Sequence, residues 1–489
     1  MRAPETSIDD RLHLERSWPE PDESADGAAI ALDATTGFVG DRLTVRCRGL
    51  DPGRSAEVRW HTVDGGWELR NHHDVVGPRF EETVEPIATV TPDRDGTATV
   101  EVTVPEDYGG EHAVELARGD RTLDVATVTV EPHFELATES APLGDAVTLR
   151  AHGLGADPVR AVYQVTWDNG TVGYLSAIGN DGTATAPIRA VGPVGEHTLS
   201  IWRSVRGEPF LQTETQPHAS PGGDGLGSVS GDRQRSFTVE VTTPERRPET
   251  AWMDPLPEES PVADHADVLD EETDATLSVD PVYGQAGTEV TLTGEGFPAR
   301  ETVELIWYRH EGHFAQGIPI SPEPKPDVLP TLETDAEGAF AIDFEVPDDK
   351  GATTPIAAAI DGTNVATTAF MIQPSIAGIS PEQGPVGTEI EIELSGLGWP
   401  IPEMSPYLTY DNRMVGYVCS EDDHRDHGIT RTKLQASGRP GLHFIDVYPN
   451  VFETETEVPD IELMPHLSAQ DAHPGRATPG IHFTFEVTE

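Results

Sequence analysis

One stretch of the sequence concentrates side chains that could bind a metal ion and activate water. It runs from Cys419 to His427, and Cys419, His424 and His427 supply its thiol and imidazole groups. A thiolate and two imidazoles can hold zinc and leave a position open for water, as in a catalytic zinc site. The stretch lacks the paired cysteines of a structural zinc site, so a solvated acidic loop is the competing interpretation. A metal-dependent enzyme or metal-binding protein that uses this loop is therefore the alternative to a protein without metal.

Other signals of enzyme chemistry are weak or missing in the sequence. His310 and His313 have the spacing His-x-x-His without the helical His-Glu-x-x-His of metalloproteases. The sequence contains neither a Gly-x-Ser-x-Gly elbow nor a phosphate-binding Gly-x-x-x-x-Gly-Lys loop. We therefore predict that the chain is not an enzyme and that it uses no cofactor.

Aromatic and amide side chains recur at two matching places and are candidates for a binding surface. Residues 167–174 read Trp-Asp-Asn-Gly-Thr-Val-Gly-Tyr, and residues 410–417 read Tyr-Asp-Asn-Arg-Met-Val-Gly-Tyr. Asp-Asn before Val-Gly-Tyr is typical of a hairpin turn and the strand that follows it. On one interpretation the turn sets the geometry and the aromatic rings pack; on the other, these groups bind a partner as antibody loops do. The candidate binding residues here are Trp167, Asp168, Asn169, Tyr174, Tyr410, Asp411, Asn412 and Tyr417.

Two long excursions follow these stretches and add two histidines to the candidates. They run over residues 203–235 and 449–480, and each contains Pro-His-x-Ser, with His218 in the first and His466 in the second. Loops of this length inside a compact domain are uncommon and are often functional. The competing interpretation is a flap that covers a sheet edge against pairing with other strands.

The elements that must position these residues are short strands in four repeated units. Each unit has a glycine turn, an alternating strand that ends in Gly-Leu or Gly-Phe, and a second strand with an aromatic residue. Alternation of apolar and polar residues predicts half-buried strands. The four copies of the first strand and its turns cover 37–50, 144–154, 284–297 and 384–397. Three units also have a later strand that opens with Gly-x-His, at His112, His197 and His443, and these histidines are predicted to pack and form hydrogen bonds. About seven short strands per hundred residues indicate an all-β protein of four tandem immunoglobulin-like β-sandwich domains.

The repeated residues resemble the IPT/TIG group of immunoglobulin-like repeats. The third copy is the most similar, at Ser278–Pro281 and at Thr291–Phe297. The resemblance implies a non-catalytic structural, adhesive or ligand-binding role, and by analogy a place at the cell surface or outside the cell. Fold-level similarity of this kind does not define a function.

Offsets between the copies predict a duplicated pair of domains in the order A-B-A′-B′. Gly40, Gly49 and Trp60 each recur 247 residues later, and Gly144, Gly153 and Trp167 correspond to residues 243 positions later. The predicted boundaries are an acidic disordered tail (1–27), domain 1 (28–132), domain 2 (133–243), an acidic proline-rich linker (244–275), domain 3 (276–373) and domain 4 (374–489).

The charge of the chain indicates the solvent in which it works. There are 86 Asp and Glu residues against 32 Lys and Arg, a formal charge of −54, spread along the whole sequence. A folded protein with this charge is adapted to high salt, where screening suppresses self-repulsion. Nucleic acid is excluded as a partner because phosphate binding needs a basic surface. A protein or glycan partner is expected, and self-assembly through sheet edges is possible.

The cysteines and the first residues leave the compartment open. Cys47 and Cys419 fall in different predicted domains, so we expect no disulfide between them. Nothing in the sequence has the length and apolarity of a membrane span, so no membrane insertion is expected. Residues 1–6 do not resemble a secretory signal, which favours the cytoplasm, where an accessory protein is a further alternative, whereas the domain type favours the surface or the exterior.

Overall fold

The computed structural model describes thirteen stretches of the chain, and their regular structure is entirely β. They are residues 18–22, 27–66, 69–70, 74–75, 79–156, 162–204, 233–255, 268–311, 323–398, 406–418, 428–449, 466–468 and 480–489. No α-helix occurs in these stretches. The strands form four pairs of sheets, which we call modules 1 to 4 in chain order. The predicted all-β class is therefore confirmed.

The chain divides into two compact units. Unit 1 consists of Met1–Arg70, Val75–Glu245 and Glu455–Pro474; unit 2 consists of Asn71–Asp74, Arg246–Thr454 and Gly475–Glu489. The two facing sheets of module 1 and those of module 2 belong to unit 1, and modules 3 and 4 belong to unit 2. The described residues His466–Ser468 thus belong to the unit of modules that precede them by more than 200 residues.

Module 1 pairs a three-stranded sheet with a five-stranded sheet. Its strands are β1 (Ala29–Leu32), β2 (Thr36–Gly37), β3 (Arg42–Arg48), β4 (Ala56–Gly66), β7 (Arg79–Val90), β8 (Ala98–Thr103), β9 (Gly110–Arg118) and β10 (Arg121–Val130), with a small separate sheet of β5 (Leu69–Arg70) and β6 (Asp74–Val75). The sheet orders are β1-β3-β8 and β2-β10-β9-β4-β7. The first strand is split between the two sheets, and β2 pairs with β10 in parallel. This order is that of an immunoglobulin-like sandwich.

Module 2 repeats this arrangement. Its strands are β11 (His133–Leu136), β12 (Ser140–Pro142), β13 (Ala146–His152), β14 (Val162–Trp167), β15 (Gly170–Leu175), β16 (Ala184–Arg189), β17 (Gly195–Ser204) and β18 (Arg233–Thr242). The sheet orders are β11-β13-β16 and β12-β18-β17-β14-β15. The outer strand β15 is therefore the counterpart of β7 in module 1.

Modules 3 and 4 repeat it again in unit 2. Module 3 contains β20 (Thr276–Asp280), β21 (Tyr283–Gly284), β22 (Glu289–Glu295), β23 (Thr302–Glu311), β24 (Glu323–Glu333), β25 (Phe340–Glu345), β26 (Ala352–Ile360) and β27 (Thr363–Ile372). Module 4 contains β19 (Ala251–Met253), β28 (Ser375–Ser380), β29 (Gln383–Gly384), β30 (Glu389–Ser395), β31 (Tyr407–Tyr410), β32 (Arg413–Tyr417), β33 (Ile429–Gln435), β34 (Gly441–Tyr448) and β35 (Ile481–Val487). The outer strands of their larger sheets are β24 and β32.

The predicted alternation places one face of each repeated strand in a core. In module 1, Leu43, Val45 and Cys47 of β3 are buried in one cluster with Val58 and Trp60 of β4. Because β3 and β4 belong to different sheets, the two sheets face each other across this core. Burial of a large apolar side chain contributes roughly 1.5–3 kcal/mol. The hydrophobic effect therefore accounts for the strand pattern in the sequence.

The same backbone joint connects module 1 to module 2 and module 3 to module 4. The amide of Gly109 donates to the carbonyl oxygen of Leu154 at 2.9 Å, and the amide of Gly351 donates to that of Leu397 at 2.8 Å. In both joints a Cβ on the glycine would collide with a carbonyl oxygen of the next module, which explains why glycine is needed.

The segment predicted as a linker, 244–275, contributes to module 4 and module 3 wherever it is described. Strand β19 pairs with β35, and the Trp252 ring lies 5.2 Å from the ring of His482. Further along, the Asp270 carboxylate accepts a hydrogen bond from the backbone amide of Asn364 at 2.9 Å. The sequence did not predict this strand, because Ala-Trp-Met is an apolar run of only three residues in a proline-rich stretch. The run forms a strand by pairing with the backbone of β35.

No helix among the described residues has the length and apolarity needed to cross a membrane.

Candidate binding site on the outer strands of modules 2 and 4

The turn at Asp168 and Asn169 joins β14 to the outer strand β15 of module 2. Both residues have positive φ, 47° and 65°, as a two-residue hairpin turn of the I′ type requires. The Asp168 carboxylate accepts a hydrogen bond from the backbone amide of Thr198 at 3.0 Å. The side chain thus ties the turn to β17, and the Asp-Asn signal in the sequence is explained by backbone geometry.

His197 completes this turn from the start of β17. Its Nδ1 lies 2.6 Å from the Asp168 carboxylate and its Nε2 lies 2.7 Å from the carbonyl oxygen of Pro193. Its ring stacks on Trp167 with centroids 5.3 Å apart. Both ring nitrogens lie within hydrogen-bonding distance of oxygen atoms of the same module. In this geometry the imidazole is therefore occupied by contacts within its own module.

Module 4 contains the same arrangement at Asp411 and His443. Asp411 and Asn412 again have positive φ, 48° and 58°. Nδ1 of His443 lies 2.5 Å from the Asp411 carboxylate, Nε2 lies 2.8 Å from the carbonyl oxygen of Arg439, and the ring stacks on Tyr410. Burial lowers the pKa of His443, but the hydrogen bond and charge of Asp411 and the Arg439 carbonyl outweigh it, so the pKa is raised. This agrees with the predicted packing and hydrogen-bonding role of the histidine.

Two glycines that the sequence reasoning missed make room for these rings. Gly192 and Gly438 have φ of 95° and 103°, and a Cβ on either would collide with the imidazole of His197 or His443. Each lies three residues before the glycine of Gly-x-His. That recurrence in modules 2 and 4 is the signal that could have identified them.

In modules 1 and 3 a buried aspartate accepts a hydrogen bond from a tryptophan indole. The indole N–H of Trp60 donates to the Asp107 carboxylate at 2.6 Å, and that of Trp307 donates to the Asp349 carboxylate at 2.9 Å. Burial raises the pKa of Asp349 to about 6, although the hydrogen bond from Trp307 opposes that shift. His112, the third predicted packing histidine, stacks on Trp60 at 4.7 Å.

The outer strand of module 2 is covered by a short segment from the second excursion. The described residues His466, Leu467 and Ser468 belong to unit 1, and His466 forms a parallel bridge with Tyr174 of β15. The amide of Leu467 donates to the carbonyl oxygen of Tyr174 at 2.9 Å. His466 Nε2 and the hydroxyl of Ser176 share a hydrogen bond of 2.9 Å, and the His466 and Tyr174 rings meet edge to face.

This covering segment buries nearly all of the groups that form it. Tyr174 and Ser176 are 4% and 5% exposed, and the three residues of the segment are at most 2% exposed. The binding therefore combines a backbone hydrogen bond along the strand with side-chain recognition, which is the general form of strand addition.

The outer strand of module 4 has the opposite environment. Met414, Val415 and Tyr417 of β32 are 43%, 53% and 61% exposed. The strand pairs with β31 alone among the described residues. The candidate residues of the two modules are thus equivalent in sequence but differ in exposure.

The remaining candidates are buried, exposed at the turn or outside the described residues. Trp167 and Asn412 are buried, Tyr410 and Asp411 are partly buried, and Asp168 and Asn169 are exposed. The structure brings Tyr174 and His466 together, whereas His218 lies outside the described residues. So do the metal candidates Cys419, His424 and His427. Where the chain is described, no group of three or more His, Cys, Asp or Glu residues could hold a metal ion.

Comparisons with known proteins give no functional assignment. No protein-family model matches the chain, and no curated protein matches it in sequence. Among solved structures, it is similar to a crystal structure from Corynebacterium diphtheriae of a protein provisionally described as membrane anchored. The identity is 10%, the match covers 71% of this chain and 91% of that chain, and the TM-score is 0.16. A similarity at this TM-score supports no argument about function.

Proposed function

We propose that the chain is a non-catalytic structural or adhesive protein of tandem immunoglobulin-like modules, related to IPT/TIG repeats, that works in high salt. Its excursions act as binding elements for the edges of β-sheets. The observation that carries the proposal is the docking of His466–Ser468 on β15, which shows an excursion segment bound along an outer strand. The partner in an assembly is accordingly a protein with an open sheet edge, or a glycan held by the same loops.

The use of the titratable groups supports the non-catalytic part of the proposal. A general base or nucleophile must reach a proton or an electrophile of the substrate. In modules 2 and 4, His197 and His443 instead have both nitrogens committed to acceptors within their own module. The duplication retains this arrangement at both places, as a packing role requires.

The surface charge supports work in high salt. The lysines are three in number against 86 acidic residues. Several of the ion pairs on the described surface, such as Arg42 with Glu101, are largely exposed and contribute about 0–1 kcal/mol each. Screening by salt is therefore the principal means of reducing repulsion among the carboxylates.

Hydrogen exchange at β15 tests the role of the excursion. Replacement of His466 or Tyr174 by alanine should accelerate exchange of the β15 amides, and the double variant should add little because the two side chains contact each other. His133→Ala is the matched control, because His133 is an exposed histidine on the other sheet of module 2. If His466→Ala leaves β15 exchange at the rate of the control, the proposed role of the excursion is wrong.

Partner binding and metal content test the remaining parts. A chain with residues 205–232 replaced by a short Gly-Ser linker should lose binding to protein and glycan arrays in molar KCl; undiminished binding would contradict a role for that loop. Elemental analysis of the purified full chain after dialysis in high salt should find no bound metal. About one equivalent of a transition metal would instead favour the enzyme alternative at Cys419, His424 and His427.

A further inference from the structure

The larger sheets of modules 2 and 4 contain the same strand, but its edge is paired differently in the two copies. Strands β18 and β35 share the sequence Phe-Thr-x-Glu-Val-Thr, at residues 237–242 and 483–488. In module 4 the first half of β35 pairs with β19, with Ala251 opposite Phe483 and Met253 opposite Ile481. In module 2 the corresponding half of β18 pairs with β17 alone among the described residues. The two modules thus differ at one edge of an otherwise equivalent sheet.

This edge of β18 is exposed and carries positive charge. Arg235 is exposed, whereas Ile481 at the equivalent position of β35 is buried. The Arg235 guanidinium lies 5.3 Å from the centre of the Phe237 ring, and that of Arg233 lies 5.9 Å from the centre of the Trp202 ring. Neither arginine forms an ion pair with a carboxylate in the described part of the chain, although the chain has 86 acidic residues. An extended segment that brings a carboxylate to this edge would therefore complement its charge.

The sequence contains a second copy of the segment that forms β19. Residues 246–256 read Arg-Arg-Pro-Glu-Thr-Ala-Trp-Met-Asp-Pro-Leu, and residues 2–12 read Arg-Ala-Pro-Glu-Thr-Ser-Ile-Asp-Asp-Arg-Leu. Six of these eleven positions are identical at a constant offset of 244 residues. Residues 2–12 lie outside the described residues, so the comparison is one of sequence. It indicates that the duplication of the chain included the segment before each pair of modules.

The register of β19 on β35 assigns a partner to each position of this second copy. Met253 lies opposite Ile481 in module 4. At the offsets of 244 and 246 residues that relate the segments and the strands, this pair corresponds to Asp9 opposite Arg235. Opposite side chains of an antiparallel pair have Cβ atoms about 4.5–5.5 Å apart, so the carboxylate would meet the guanidinium. An apolar pair in one half of the chain is thus matched by oppositely charged residues in the other half.

The chain is long enough to bring this segment to β18. The amide of Asp22 donates to the carbonyl oxygen of Thr122 at 2.9 Å, at the start of β10. Strand β10 has ten residues, spans about 33 Å and ends at the joint with module 2, where Val130 approaches Gly153. Twelve positions separate Asp22 from Asp10, and an extended chain of this length reaches about 40 Å.

We propose that the edge of β18 at Arg235–Thr238 is the docking site of residues Thr6–Asp10 of the same chain, which pair with it in the register of β19 on β35. The Asp9 carboxylate forms an ion pair with Arg235 in this arrangement. Site and segment both belong to unit 1. The inference goes beyond the proposed function, because it involves neither excursion. Each half of the chain then closes a sheet edge with the segment that precedes its own modules, which keeps that edge from pairing with other proteins.

A disulfide tests the docking and its register in the full chain. The variant with Asp9→Cys, Arg235→Cys and Cys419→Ser should form a disulfide within one chain under mild oxidation in molar KCl, identified by mass spectrometry of an unreduced digest. In the matched control, His13→Cys takes the place of Asp9→Cys. It lies four residues beyond the predicted position and should link far less.

A pair of residues in module 4 sets the oxidation conditions. Met253→Cys with Ile481→Cys should link, because these residues lie opposite each other. If the pair at residues 9 and 235 then links no better than the His13→Cys control, the proposal is wrong. A disulfide that joins two chains would also overturn it, because the proposed occupant belongs to the same chain.

Hydrogen exchange with charge reversal tests the native pairing without oxidation. Asp9→Arg should accelerate exchange of the Thr238 amide by about tenfold, because like charges opposite each other destabilise a strand pair. Addition of Arg235→Asp should restore slow exchange. The amide of Thr484, which donates to the carbonyl oxygen of Thr250 at 2.8 Å in module 4, should be unaffected by either change. Equal exchange of Thr238 in the native chain and both variants would overturn the proposal.

Discussion

Nδ1 of His443 lies 2.5 Å from the carboxylate of Asp411, and Nε2 of the same ring lies 2.8 Å from the carbonyl oxygen of Arg439. The imidazole is thus held between a turn and the loop that precedes its own strand. Because the equivalent ring of His197 is held by Asp168 and Pro193, the contact is a repeated part of the module design.

Module 4 should lose stability as pH rises through the folded pKa of His443, which is raised above its ordinary value. The pKa of His443 is raised in the folded state, so its contribution is complete below the unfolded value of about 6.5 and is lost as pH rises through the folded pKa. Hydrogen exchange of β34 between pH 6 and 9 measures this. Asp411→Asn keeps a turn residue that tolerates positive φ but removes the charge, and should flatten the pH dependence. An unchanged profile in that variant would contradict the role of the pair.

The carboxyl of Asp349 should make module 3 more stable as pH falls from 7 to 5. Its pKa is about 6 in the folded state, well above that of an unfolded aspartate, so folding takes up a proton in this range. The expected gain is about 1 kcal/mol, measured by urea unfolding. Asp349→Asn should abolish this gain, and the exposed neighbour Asp348→Asn should retain it. The same titration should appear in the NMR signal of the Trp307 indole N–H. Its absence would contradict the assignment of this titration to Asp349.

Alanine at either joint glycine should destabilise the corresponding pair of modules. In Gly109→Ala and Gly351→Ala the new Cβ would overlap a carbonyl oxygen of the following module, at Gly153 and Gly396. We expect a loss of about 1–3 kcal/mol in urea unfolding. Gly378→Ala, whose Cβ would meet no atom within 4 Å, is the control. Equal stabilities for all three variants would show that the backbone at the joints can shift to accept a Cβ without loss of stability.

Salt should stabilise the chain over a wide range of concentration. With a formal charge of −54, repulsion among carboxylates opposes folding, and the Debye length falls from about 10 Å at 0.1 M to about 3 Å at 1 M. The Tm should therefore rise with KCl and equally with NaCl, whereas sucrose at matched osmolality should have a smaller effect. A Tm that falls or stays constant with salt would contradict adaptation to high salt.

Cys47 should resist thiol reagents while module 1 is folded. The side chain is 3% exposed, and burial raises the pKa of its thiol to about 11, so little thiolate exists at pH 8. Labelling followed by peptide mapping should find Cys47 unmodified in the native chain and modified after unfolding in urea. Rapid native labelling would show that the core of module 1 opens easily.

Local rules made the strands and turns predictable from the sequence. Leu43 and Val45 alternate with polar residues because one face of β3 is buried, and Asp168-Asn169 marks its turn because both residues tolerate positive φ. These features depend on neighbours a few residues away.

The contacts that define the site could not be predicted in the same way. His466 and Ser176 are 290 residues apart, and no local preference links them. The pairing of His197 with Asp168 likewise depends on strand order, which places the start of β17 beside the turn. The predicted linker has no predicted strand, whereas in the structure Ala251–Met253 pairs with β35, which lies more than 200 residues downstream. Non-local contacts of this kind need the fold before they can be identified.

The covering of β15 by residues 290 positions downstream imposes an order on biosynthesis. At a typical rate of 5–20 residues per second, a ribosome needs about 15–60 s to progress from Ser176 to His466. Module 2 therefore emerges without its covering segment and stays so until His466 has been synthesised. A transcript truncated before His466 would release a permanently open edge, so premature termination should yield aggregation in preference to a functional fragment.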